Sequence, residues 1–143
     1  MSKLRVIGIC LAIVITAFTA LHLLRNRDIS VETISGLYRA NISTRHSQIE
    51  LHQDGSFIHQ FSDDTHPSLY ASKANTGTWD IEETKSGKHV VLYNFVSFAG
   101  EQEVLGFNVN GGWFLLLIDK FFGRVQLIYD VGLGLAYDKI SAK

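Results

Sequence analysis

The uncharged run Val6–Leu24 constrains this chain more than any other feature. It contains 19 residues, nearly all apolar, and two basic residues flank it on each side. As a helix with a rise of 1.5 Å per residue it is about 28 Å long, close to the hydrocarbon thickness of a bilayer. The sequence therefore predicts a transmembrane helix within residues 1–27, with the rest of the chain outside the lipid.

The same run also decides between a cleaved signal peptide and a retained anchor. A cleaved signal has a shorter apolar stretch followed by a small-x-small site. The best sites here, Ala17-Phe18-Thr19 and Phe18-Thr19-Ala20, fit that rule poorly. The sequence favours a retained signal-anchor, with cleavage as the alternative. The basic flanks nearly balance, but the short tail before the run, with its Lys3 and Arg5, favours an N-terminus in the cytoplasm. We therefore expect a single-pass protein of the bacterial inner membrane with its remaining part in the periplasm.

Charge and cysteine content restrict what the remaining part does. Four of the 13 basic residues flank the apolar run, so nine face 14 acidic residues elsewhere, a formal charge of −5. A domain of that sign lacks the basic surface that nucleic acid requires, and we expect no nucleic-acid partner. The single cysteine, Cys10, lies in the apolar run, so the domain has no internal disulfide and no cysteine-based zinc site.

Beyond residue 33, short segments of alternating polarity recur about every ten residues and are separated by turn signals. This pattern is typical of an antiparallel barrel or sandwich. We predict an all-β fold, a small antiparallel meander barrel of about eight strands over residues 34–143, joined to the helix by a short connection, residues 28–33. Residues 104–109 are a candidate for one more strand or for an extension of a neighbouring strand, and 62–76 and 97–103 are longer loops. The predicted strands are Gly36–Ser43, Ser47–His52, Ser56–Phe61, Gly77–Glu82, His89–Phe95, Gly112–Ile118, Val125–Asp130 and Leu135–Ile140.

The hairpin around Asp54-Gly55 has a register that the sequence specifies. A two-residue turn would place polar and aromatic side chains on one face. A three-residue loop, residues 53–55, with Gly55 in the left-handed region, instead places Ile49, Leu51, Phe57 and Phe61 together. Because a slip by one residue exposes every core side chain, we predict the three-residue loop.

Two elements of this region, Leu51-x-x-Asp54-Gly55-x-Phe57 and Gly77-x-Trp79, resemble those of small bacterial envelope proteins with lipocalin-like barrels. In true lipocalins the Gly-x-Trp element lies near the start of the barrel, where this chain has Gly36-Leu37-Tyr38. The resemblance implies a meander barrel and covers about half of the domain. It does not transfer a ligand, because such proteins include carriers, inhibitors and immunity proteins.

Catalytic and metal-binding patterns are weak. The sequence has no nucleophile elbow and no phosphate-binding glycine loop, and the acidic pairs Asp63-Asp64 and Glu82-Glu83 suit solvated charges. Histidines recur at positions 46, 52, 59 and 66, but the predicted register turns His52 outward and His59 inward. We therefore expect no metal, no cofactor and no enzymatic activity.

Two regions remain as candidate binding sites. One is the barrel interior, where a small apolar ligand would contact Tyr38, Phe57, His59 and Trp79. The other is formed by Trp113, Phe121 and Phe122. The segments 90–96 and 113–118 are apolar on both faces, whereas a strand with one face in water alternates. This pattern indicates either strands whose outer side is covered or an exposed patch that binds a protein or the membrane surface. The sequence predicts a membrane-anchored, non-catalytic binding protein, for example an inhibitor or immunity protein that neutralises a toxin. A carrier of a small apolar ligand and an accessory subunit of a membrane complex are the alternatives.

Overall fold

A computed structural model of the chain describes residues 3–26, 29–42, 44–66, 74–105, 108–121, 123–130 and 135–140. Helix α1 covers Lys3–Asn26, the one-turn helix α2 covers Val31–Ile34, and helix α3 covers Ala99–Leu105. The strands are β1 Gly36–Ile42, β2 Arg45–Leu51, β3 Ser56–Asp63, β4 Ala74–Thr84, β5 Gly87–Val96, β6 Asn110–Phe121, β7 Arg124–Asp130 and β8 Leu135–Ile140.

The eight strands form a closed antiparallel barrel in which each strand pairs with its neighbours in the sequence and β8 returns to β1. The predicted all-β meander barrel is confirmed, and every predicted strand overlaps an observed one. The further strand proposed for residues 104–109 is not found in the described part of that segment. Residues 99–105 form α3 instead, because the Glu101 carboxylate accepts from the Phe98 amide at the start of this helix, which then continues through Val104 and Leu105.

The hairpin between β2 and β3 has the predicted three-residue loop. Leu51 pairs with Phe57, the His52 amide donates to the Ser56 carbonyl, and Gly55 has a φ of +82°. As predicted, the apolar side chains of this hairpin are buried together, His59 points inward and His52 does not. Asp54 completes the turn by accepting hydrogen bonds from the amide and hydroxyl of Ser56.

A β-bulge in β5 redirects the core-facing side chains. Tyr93 pairs with Trp113 and Phe95 with Gly112, so Asn94 is an extra residue, with a φ of +63°. Asn75 holds the bulge: its amide donates to the Asn94 carbonyl and its oxygen accepts from the Val96 amide. Since strand side chains alternate, the extra residue lets Tyr93 face outward while Phe95 is fully buried.

The barrel has two distinct ends. At the α2 end lie α2, the start of β1, the end of β8 and the hairpin turns that follow β2, β4 and β6. At the α3 end lie α3, the turn after β1 and the connections that follow β3, β5 and β7. The core between them consists of inward-facing aliphatic and aromatic side chains from all eight strands, with Ile34 of α2 added at its end.

The helix α1 was predicted to span a membrane. Among the described residues, no helix is found that is both long enough and apolar enough to cross a membrane. The transmembrane part of the fold prediction is therefore not found in the described residues, in contrast to the barrel.

Candidate functional site

The four residues predicted to line a ligand cavity, Tyr38, Phe57, His59 and Trp79, are all buried in the barrel. Two of them bind main-chain groups near the α2 end. The Tyr38 hydroxyl donates to the Ile34 carbonyl (2.6 Å), and the Trp79 indole donates to the His52 carbonyl (2.9 Å). Burial raises the pKa of Tyr38, which keeps the phenol protonated as a donor. These two side chains fasten α2 and the β2–β3 turn to the barrel.

The other two residues belong to a column of rings across the interior. Phe95 lies at its centre, with ring centroids 6.3 Å from Phe57, 4.5 Å from His59 and 4.7 Å from Phe114. Phe114 in turn contacts Tyr129, and His59 contacts Phe98. Aromatic side chains thus occupy the interior positions that were predicted to hold a ligand. The role of those positions in ligand binding stays a prediction.

Sequence reasoning missed a buried polar cluster, which we call the Glu101 cluster: Ser47, His59, Glu101 and Tyr137. The Glu101 carboxylate accepts from the Ser47 hydroxyl at 2.6 Å and lies 3.1 Å from Nε2 of His59. Tyr137 donates to Glu101 (3.3 Å) and its hydroxyl lies 2.9 Å from Ser47 Oγ. All four residues are at most 3% exposed. Burial, with the neighbouring Glu101 carboxylate, raises the pKa of Tyr137 well above its ordinary value.

The contacts of His59 indicate how protons are distributed in the Glu101 cluster. Nδ1 lies 3.2 Å from the Val96 carbonyl, which only accepts, so Nδ1 carries a proton. Nε2 faces Glu101, whose second oxygen accepts from the Phe98 amide (3.2 Å). Every buried side-chain nitrogen and oxygen of the cluster has a hydrogen-bonding partner. Polar groups buried in an apolar interior are stable only when they are paired in this way.

The Glu101 cluster contains a serine, a histidine and an acid, but its connectivity differs from a nucleophilic triad. In a triad the acid binds one ring nitrogen and the serine binds the other. Here both the Ser47 hydroxyl and the Glu101 carboxylate meet Nε2. The arrangement instead fixes α3, which carries Glu101, to β2, β3 and β8. A second attachment is the hydrogen bond from Arg45 to the Gly100 carbonyl (3.2 Å).

The two residues of the acidic pair Asp63-Asp64, both predicted to be solvated, have different surroundings. Asp63 is buried, and its carboxylate accepts from Arg45 Nε (3.0 Å) and from the hydroxyl and amide of Thr65. The Thr65 hydroxyl, its amide and Arg45 lower the pKa of Asp63 to about 2 against the opposing effect of burial. The prediction is therefore wrong for Asp63, while Asp64 is exposed beside His46. Within the described parts of the chain, no group of three or more His, Cys, Asp or Glu side chains is arranged to hold a metal ion.

The outer face of β5 and β6 carries the second candidate site. Trp113 is 66% exposed, and its cross-strand neighbour Tyr93 is 37% exposed. The Tyr93 hydroxyl donates to Glu82 (2.6 Å), and this bond raises the pKa of Tyr93. Two residues further along each strand, on the same face, Val91 is buried and Leu115 is half-buried. The strand pair is thus covered near Val91 and open at the two aromatic residues, which we call the Trp113 face. The side chain of Phe121 and the whole of Phe122, predicted as contacts of the same kind, lie outside the described residues.

The closed eight-stranded barrel is compatible with a lipocalin-like fold. No protein-family model, characterised protein or solved structure matches the chain.

Proposed function

We propose that this protein is a membrane-anchored, non-catalytic binding protein that holds a protein partner on the Trp113 face. The observation that carries the proposal is the exposed Trp113 beside Tyr93 on the outside of a barrel whose interior is occupied by its own side chains. Tryptophan and tyrosine supply much of the binding energy in protein interfaces, because they bury large apolar surface and retain a polar group. Such a face suits an inhibitor that holds a toxin beside the bilayer, or an accessory subunit of a membrane complex.

The exposed aliphatic side chains of α1 support the membrane anchor. The helix has 24 residues, about 36 Å of length, and the sequence has no charged residue between Val6 and Leu24. Five large side chains on it are 58–65% exposed: Ile7, Leu11, Ile13, Val14 and Ile15. Burial of each in lipid would be worth about 2 kcal/mol. A helix that is apolar on all sides requires an apolar surrounding.

The interior of the barrel favours partner binding over the carrier alternative. A carrier holds its ligand in space enclosed by the strands. Here the rings of Phe57, Phe95 and Phe114 occupy that region, and the polar groups next to them bind one another. On the outer face, in contrast, most of the Trp113 side chain is exposed and is free to contact a partner.

Site-specific photocrosslinking in native membranes tests the partner surface. The full chain would carry p-benzoylphenylalanine in place of Trp113 and, as a matched control, in place of Gln60, which is exposed on the outer side of β3. We expect one discrete protein adduct from position 113 and none from position 60. Reciprocal capture by the identified partner should fall at least tenfold for Trp113→Ala. Absence of an adduct at 113, or equal adducts at both positions, would contradict the proposed surface.

Membrane fractionation tests the anchor separately. The full chain should remain in the membrane pellet after an alkaline carbonate wash, and Leu11→Lys with Val14→Lys should release it, because a lysine at a helix centre costs about 3 kcal/mol to insert. Trp113→Ala is the control and should stay in the pellet. Release of the unaltered chain by carbonate would contradict membrane anchoring. Protease protection of the barrel in sealed spheroplasts but not in lysed ones is expected if it faces the periplasm.

A further inference from the structure

A second site lies at the α2 end of the barrel, away from the Trp113 face. It is an open cleft of about 1110 Å³ between α2, the start of β1, the ends of β2 and β8, and the turn between β6 and β7. Its described lining contains three basic side chains, Lys120, Arg124 and Lys139, and one acidic side chain, Glu50. This basic cleft stands out in a chain whose residues outside the apolar run and its basic flanks have a formal charge of −5.

The position of Lys139 in the basic cleft is fixed by the fold. Its ammonium donates to the Thr33 carbonyl of α2 (2.6 Å) and lies 5.8 Å from the centre of the Tyr38 ring. Its stem passes over Gly36, where a Cβ would lie 2.8 Å from Cε of Lys139. The glycine, with a φ of +140°, thus leaves room for the lysine. A cation held by a main-chain acceptor and by packing loses little further freedom when it binds a ligand.

Lys120 and Lys139 come from neighbouring parts of the barrel rim. Along β6 and β8 every second side chain faces the interior. Lys120 follows the buried Ile118 by two residues, and Lys139 follows the buried Tyr137 by two residues, so both lysines face inward at the mouth of the barrel. Burial, together with the nearby positive charge of Lys120, lowers the pKa of Lys139. Both lysines contribute positive charge to this end of the barrel, so an anion bound there would be attracted to each of them. Arg124 stands at the turn beside them, oriented by Asp138 at 3.0 Å.

We propose that the basic cleft binds a phosphate group, carried either by the headgroup of an anionic lipid or by a small soluble phosphate ester. Lysine ammonium and arginine guanidinium groups are the side chains that proteins use for phosphate, and arginine adds paired hydrogen bonds. The volume admits a group larger than phosphate itself, such as a glycerol ester. Only four residues separate α1 from α2, at most about 18 Å between Asn26 and Val31. A bilayer that held α1 would therefore present its phosphates close to the cleft.

Calorimetric titration of the full chain in neutral maltoside micelles tests the site with two probes. One is sn-glycerol 3-phosphate, and the other is dihexanoyl phosphatidylglycerol, which adds acyl chains to a related headgroup. We expect Lys139→Gln and Arg124→Gln each to weaken binding about tenfold, the loss of one hydrogen bond to a charged group. Glu50→Gln should strengthen it. Lys85→Gln is the matched control, because it removes the same charge from another turn at the α2 end.

The outcomes separate the sources of phosphate from failure of the site. Binding of both probes with the expected variant pattern shows that phosphate suffices, and binding of the lipid alone or the ester alone with that pattern assigns the source. Binding of neither probe, or equal weakening by Lys85→Gln, overturns the proposal. Unchanged unfolding temperatures of Arg124→Gln and Glu50→Gln keep the result independent of folding. Neither probe requires the Trp113 face or an intact bilayer, so failure here leaves the proposed function standing.

Discussion

Phe57 lies directly opposite Gly77 across β3 and β4, and its ring takes the space that a side chain at Gly77 would need. A Cβ built on Gly77 would be 2.7 Å from Cε1 of Phe57 and 2.1 Å from the Tyr93 carbonyl oxygen. The next residues join the same elements: the Trp79 amide donates to the Gly55 carbonyl, and its indole to the His52 carbonyl. The two sequence elements that carry the barrel-like pattern are therefore parts of one packed unit.

Gly77→Ala should destabilise the protein by about 3 kcal/mol, because main chain on one side and a core ring on the other leave no room for a methyl group. Gly112→Ala is the matched control, since the nearest atom to its Cβ would be at 3.7 Å, an ordinary contact. Urea unfolding of the full chain in maltoside micelles, followed by tryptophan fluorescence, measures both. Equal stability of the two variants would contradict the role assigned to Gly77.

Local patterns in the sequence were enough to predict the barrel but not the Glu101 cluster. Alternation and the Asp54-Gly55 turn depend on residues adjacent in the chain, so they predicted the strands and the β2–β3 register. Glu101 acquires its role by meeting Ser47 and Tyr137, which are 54 and 36 residues away in the sequence. The bulge at Asn94 likewise depends on a distant partner, Asn75. The one local signal was an acid three residues into α3, where its carboxylate accepts from the Phe98 amide.

Glu101→Gln should destabilise the protein by about 3 kcal/mol, because an amide cannot replace the carboxylate that meets the buried Ser47, His59 and Tyr137 side chains. Glu83→Gln, at an exposed position of β4, is the control and should change stability by less than about 0.5 kcal/mol. Replacing both partners, His59→Leu with Glu101→Met, should cost less than the sum of the two single changes. A double-mutant cycle of unfolding free energies measures that coupling, and strict additivity would mean that the two side chains do not interact.

Tyr38→Phe should cost about 1–2 kcal/mol, since it leaves the buried Ile34 carbonyl without the hydroxyl that donates to it at 2.6 Å. Tyr93→Phe removes a hydroxyl bond of the same length to Glu82, but at an exposed site where water replaces it. We therefore expect almost no change for Tyr93→Phe. Thermal unfolding of the two variants side by side gives the comparison, and a larger loss for Tyr93→Phe would contradict it.

Asp63→Asn should produce a loss of stability that depends on pH. The pKa of Asp63 is lowered to about 2 from an ordinary value of 3.8, so the ionised carboxylate stabilises the folded state above about pH 4. That contribution disappears as the pH falls from about 4 to about 2, because the unfolded chain takes up the proton first. Unfolding temperatures of the original protein and Asp63→Asn should therefore differ at pH 7 and converge near pH 2. Asp64→Asn is the matched control at the exposed neighbouring position. A difference for Asp63→Asn that stayed constant down to pH 2 would show that the lost stability comes from packing rather than from the charge.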